Sequence, residues 1–162
     1  MKKILIFVLI SVLLLSSCSC ASNNNIVKDL NSGTKKADAL LKIGAGNYVD
    51  AEQYVFFKDT DGKSVVMYFD GDNLLSRVES YETPANEPTA NAQLDLPIGT
   101  DIYEVIRYLG APVAFSHGSY YQLTFDYPSS RIITTWEKTD TDKMVLRFRP
   151  YFIDYSETET ET

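Results

Sequence analysis

Gly99-Thr100-Asp101-Ile102-Tyr103-Glu104-Val105-Ile106-Arg107-Tyr108-Leu109-Gly110-Ala111-Pro112 decides the fold, because it writes a short helix together with both of its ends. Thr100 suits the N-cap, where a hydroxyl accepts a bond from a free backbone N–H, and Gly110 suits the left-handed residue that stops a helix. Between them Ile102, Val105, Ile106 and Leu109 recur at the spacing of one helical face. A helix of about ten residues is marginal alone in water. Its apolar side must therefore pack on something, and a sheet is expected beneath it.

The same arrangement occurs 66 positions earlier, where Gly33, Thr34 and Gly44 match Gly99, Thr100 and Gly110, and Ala39, Leu40 and Ile43 match Val105, Ile106 and Leu109. The offset continues as Tyr54 on Tyr120, Phe57 on Leu123, Val66 on Ile132 and Met67 on Ile133. A fixed offset of this kind marks a tandem repeat. After each helix come three runs rich in β-branched and aromatic residues, 52–58, 63–69 and 74–81, then 120–127, 131–137 and 143–149. Asp59-Thr60-Asp61-Gly62 and Asp70-Gly71-Asp72-Asn73 separate the first three and favour tight hairpins. The expected fold class is α+β: two tandem units, each a short helix on one face of an antiparallel meander.

Around this body the chain divides into a leader at 1–17, a tether at 18–25, a first unit at 26–82, a linker at 83–93, a second unit at 94–155 and an acidic tail at 156–162. Lys2 and Lys3 precede an apolar run that is shorter than the roughly 18 residues needed to span a bilayer. Leu15-Ser16-Ser17-Cys18 then reads as a bacterial lipobox, with Cys18 the site of lipid attachment after cleavage. An ordinary signal cut near Ala21 and a structural role for Cys18 are the alternatives. Cys20 is too close for an intrachain disulfide, and no cysteine follows it. The expected location is the cell membrane or outer membrane, lipid-anchored and facing away from the cytoplasm. A net charge of −7 makes nucleic acid an unfavourable partner.

No catalytic or metal constellation stands out. His117 is the single histidine and adjoins Ser116, but neighbours in a loop rarely face each other, and no strand-serine-helix elbow surrounds them. The two aspartate-rich turns lack the later ligands of a calcium loop. No enzyme activity, metal or cofactor is expected. The aromatic content carries more weight: eleven tyrosines, eight phenylalanines and Trp136. Alternation buries Tyr121, Leu123, Phe125 and Tyr127 and leaves Tyr120, Gln122, Thr124 and Asp126 on the other face. Carried by the offset to Tyr54, Phe56 and Lys58, with Arg147 nearby, this is a candidate binding face.

The stretch from Gly99 to Pro112 also resembles the signature of small envelope lipoproteins of the SmpA/OmlA type and of β-lactamase inhibitor proteins. The shared pattern is the glycine, a small polar start, Val105 six positions on, then Leu109-Gly110-x-Pro112. Gly33 and Gly44 carry a looser copy that lacks the proline. The resemblance implies a noncatalytic binder with helices packed on antiparallel sheets, a tandem BLIP-like two-layer arrangement. It implies a membrane-anchored module that holds an envelope or secreted protein, as an assembly scaffold or as an inhibitor of a secreted or periplasmic hydrolase. A module sensing a peptide or small envelope ligand between the units is the other reading.

Overall fold

The computed structural model describes residues 26–87 and 95–155. Cys18, the leader, the tether, residues 88–94 and the tail at 156–162 lie outside the described residues. A 3-10 turn at Ile26–Asp29 leads to α1 at Lys36–Ile43, and α2 spans Ile102–Leu109; each helix has eight residues. Strands β1 (Tyr48–Ala51), β2 (Tyr54–Lys58), β3 (Ser64–Phe69) and β4 (Leu75–Tyr81) form one antiparallel meander. Strands β5 (Ala114–His117), β6 (Tyr121–Asp126), β7 (Ser130–Lys138) and β8 (Met144–Leu146) form a second, and β9 (Tyr151–Asp154) pairs beside β8 along the long β7. The molecule is mixed α+β, with two antiparallel sheets and a short helix preceding each.

The backbone clasps each helix to its own meander in the same way. Gly33 N–H donates to Leu75 O at 2.8 Å and Leu75 N–H to Thr34 O at 2.8 Å; Gly99 N–H donates to Leu146 O at 2.7 Å and Leu146 N–H to Thr100 O at 2.9 Å. Gly44 and Gly110 end the helices at φ +88° and +82°, their N–H groups donating to Leu40 O and Ile106 O. The threonines are not the N-caps. Each sits one residue earlier and donates its hydroxyl backwards, Thr34 to Asn31 O at 2.7 Å and Thr100 to Pro97 O at 2.6 Å. Asp101 caps α2 by accepting from Tyr103 N–H at 2.9 Å, whereas Lys35 at the equivalent place in α1 makes no side-chain cap bond. A carboxylate at this position also complements the positive end of the helix dipole.

The offset of 66 holds only as far as β2 and β6. Lys58 pairs with Ser64 but its counterpart Thr124 pairs with Ile133, so along β3 and β7 the offset is 69, and it shifts again at β4 and β8, where Leu75 matches Leu146. The odd change of three, from 66 to 69, turns every side chain to the other face. Val66 and Met67 therefore correspond to Thr135 and Trp136, not to Ile132 and Ile133. Met67 and Trp136 are both fully buried on the face that meets their own helix.

Two cores result, and they are unequal. Ala39 and Ile43 of α1 cover Val55, Phe57, Val65 and Met67 on one face of the first sheet. The opposite face, with Tyr54, Phe56 and Val66, packs against α2, which also packs against Leu123, Phe125, Ile132 and Trp136 of the second sheet. The layers run α1, first sheet, α2, second sheet. Inside the second sheet the fully buried Thr134 hydroxyl is satisfied on both sides, donating to Leu123 O and accepting from Trp136 Nε1–H at 2.7 Å.

Gly110 is needed twice over. Its φ of +82° strains any side chain, and a Cβ there would stand 3.2 Å from Ser64 Oγ and 3.6 Å from Pro84 Cδ, where the segment after β4 crosses the helix end. We expect Gly110→Ala to lower the unfolding free energy by about 1–3 kcal/mol. Gly71→Ala, at ordinary φ with open space around it, should be near neutral in the same urea titration.

Candidate functional site

The expected binding face splits. Tyr54 and Phe56 are buried beneath α2, with 4% and 0% of their surface exposed, so they are core residues and cannot contact a partner. The offset does equate Tyr54 with Tyr120, and the two occupy the same face of their units. In the first unit α2 covers that face; in the second, no described residue does. Tyr120 (41% exposed), Gln122 and Arg147 consequently stand in solvent.

This open face is built by alternation along the second sheet. Leu123, Phe125, Ile132, Trp136 and Leu146 point to α2, which turns Gln122 and Thr124 of β6 and Ile133, Thr135 and Glu137 of β7 outward. Gln122 pairs across from Thr135, Thr124 from Ile133, and Glu137 from Val145. At one end Arg131 grips Asp126 through two bonds, Nε to Oδ1 at 2.6 Å and Nη2 to Oδ2 at 3.0 Å. The bond from Arg131 holds the Asp126 carboxyl below its ordinary range. At the other end Arg147 meets Glu137 at 3.3 Å and lies 5.7 Å over the Phe148 ring, which is edge-on to Tyr120 at 5.3 Å. Phe148 and Tyr151, 45% and 65% exposed, extend the aromatic surface. Tyr151 lies on β9, which the sequence reading does not foresee, although the alternation of Tyr151 and Ile153 is a signal for it; Phe148 falls in the expected run 143–149 but just past the end of β8.

The junction between the units holds two further clusters. Glu52, at φ +60° in the β1–β2 turn, accepts from Tyr121 Oη at 3.2 Å and meets His117 Nδ1 at 2.9 Å. His117 stacks on Tyr121 at 4.2 Å, while Ser116 donates to Gln122 at 3.4 Å. Serine and histidine are thus engaged with different partners, and nothing here forms a nucleophile-base pair. A cleft of about 880 Å³ opens between the units, walled by Phe56, Leu109, Phe125, Pro84 and Pro112. Its acidic groups are already committed: Asp59 to the Asp61 and Lys63 amides, Asp126 to Arg131, and Glu87 to the β6–β7 turn. Among the described residues no cluster of His, Cys, Asp or Glu is placed to hold a metal ion, and no helix is long and apolar enough to cross a membrane. No family model, curated protein or solved structure matches this chain.

Glu87 ties the inter-unit segment to the second sheet. Its Oε1 accepts from Ser129 N–H at 2.9 Å, Ser129 Oγ at 2.7 Å and Ser130 Oγ at 2.8 Å. The hydrogen bonds from Ser129 lead in lowering its pKa below the ordinary 4.5. A carboxyl lowered in the folded state stabilises it above the unfolded pKa, and that contribution fades as pH falls through the folded value. Urea unfolding across pH 3–6 should show this acid-side loss in the native chain, and Glu87→Gln should flatten it.

Proposed function

We propose that this chain is an exported lipoprotein, anchored to the cell or outer membrane through Cys18, that acts as a noncatalytic module holding another envelope or secreted protein. The observation that carries the reading is the open face of the second sheet. It is a broad sheet surface whose counterpart in the first unit is a buried interface, and it carries tyrosine, phenylalanine and arginine, the side chains that dominate protein contacts. The commitment of the cleft's acidic groups to backbone amides, to Arg131 and to the β6–β7 turn favours a protein partner over a small ligand. The layer order adds a second support. Ile26 and Val27 pack on the core beneath α1, at the opposite pole from the open face, so a tether from Cys18 would leave that face clear of the membrane.

We read the two clasped helix-and-meander units as a tandem member of the SmpA/OmlA and β-lactamase inhibitor superfamily. Gly99, Val105, Leu109, Gly110 and Pro112 serve there as determinants of fold, not of contact. Inhibition of a secreted hydrolase is a narrower form of the same proposal, since it uses the same face.

A photo-crosslinking residue at position 122, on intact cells, should capture a defined protein, and one at position 37 on the α1 pole should not. Tyr120→Ala with Arg147→Ala should reduce the capture severalfold while leaving the far-ultraviolet circular dichroism unchanged. Equal capture from both poles would reject the open face. Cys18→Ala should release the protein from membranes; retention would reject the anchor.

A further inference from the structure

Resting on the reading of the open face as the partner site, we infer that its occupant is a short amphipathic helix of a partner protein, with an aromatic side chain toward the sheet and acidic residues at its flanks. The molecule contains its own template for this contact. The equivalent face of the first sheet is covered by α2, a helix of two turns. Tyr103 of that helix lies under the Arg77 guanidinium at 3.9 Å and against Tyr54 at 6.3 Å, and Arg107 lies over Tyr81 at 5.2 Å. The open face repeats the receiving groups in kind: Tyr120 stands where Tyr54 stands, and Arg147, the residue after β8, sets a guanidinium on that face as Arg77 does from β4, at a different step of the ladder. Guanidinium over an aromatic ring is a favourable contact, the more so when desolvated.

Charge selects the partner. The chain is −7 overall, yet residues 143–149 carry Lys143, Arg147 and Arg149 and no acid. Glu137 offsets Arg147 and Asp126 offsets Arg131, which leaves Lys143 and Arg149 without an ion pair among the described residues. Acidic flanks on the incoming helix would meet these two cations, which steers encounter and fixes orientation. The same argument disfavours a second copy stacking head to tail. That copy would present the outer side of α1, where the exposed Leu41 is flanked by Lys35 and Lys42 against a single Asp38, setting cation against cation.

The test uses lipidated protein in detergent micelles and a helix-locked synthetic peptide with the sequence of residues 100–112 carrying Arg107→Glu. Amide shifts should move at Gln122, Thr124, Thr135 and Val145 and stay fixed along α1. Lys143→Glu with Arg149→Glu, checked for fold by circular dichroism, should weaken binding by about 10- to 100-fold, since each tenfold is about 1.4 kcal/mol. A basic peptide with Glu104→Lys and Arg107 retained should bind at least about tenfold more weakly than the acidic one. Equal binding of the two peptides, shifts confined to another surface, no binding at millimolar peptide, or self-association that the peptide does not disturb would each overturn the inference. If the peptide fails while position 122 still captures a protein on cells, the helix chemistry falls and the partner face stands; failure of both removes both.

Discussion

Everything in this molecule hangs on α2 being buried on two sides, so that only the stripe of Glu104, Arg107 and Tyr108 is left to solvent. Ile102, Tyr103, Val105, Ile106 and Leu109 are all buried, because one side of the helix meets its own sheet and the other meets the sheet of the preceding unit. Fully burying a large aliphatic or aromatic side chain is worth about 1.5–3 kcal/mol, so a helix too short to form alone becomes the element that joins both halves. By contrast, α1 buries only Ala39 and Ile43 and leaves Leu41 81% exposed. Two helices written on one pattern thus do different work, and the difference is a second layer of contact.

That second layer explains where reading the sequence succeeded. Glycine at positive φ and apolar residues at helical spacing are local constraints, so the ends of α1 and α2 and the order of helix before meander were legible. The burial of Leu123 and Phe125 followed from alternation for the same reason, whereas Tyr121 and Tyr127 on the same face are only half-buried. Both cap residues were misplaced by one, because a threonine beside a cap and a threonine at a cap look alike until its hydroxyl partner is known. The strands β1, β5 and β9, each of four residues, lie outside the runs read as strands.

What failed was tertiary. A constant offset assumes hairpins of equal length, but the β6–β7 ladder runs further than the β2–β3 ladder, as the pairing of Asp126 with Arg131 shows. Three extra positions reverse which face each residue joins, and no local signal announces it. Tyr54 and Phe56 were assigned to a surface for a related reason: one sequence pattern describes a sheet face whether a neighbouring helix covers it or not. The candidate site was therefore half legible. Tyr120, Gln122 and Arg147 lie together on the open face, whereas Phe148 and Tyr151 needed the structure.

The claim most exposed to test is that α2 binds the two sheets into one cooperative body. Native-state hydrogen exchange reads this directly, through the amides of Val55 and Val66 in the first sheet and of Leu123 and Ile132 in the second. Ile106→Ala should lower the opening free energies of both sets by the same amount, within the about 2–5 kcal/mol expected for truncating a buried isoleucine. If the second sheet loses protection while the first keeps its own, α2 belongs to one unit alone and the account is wrong.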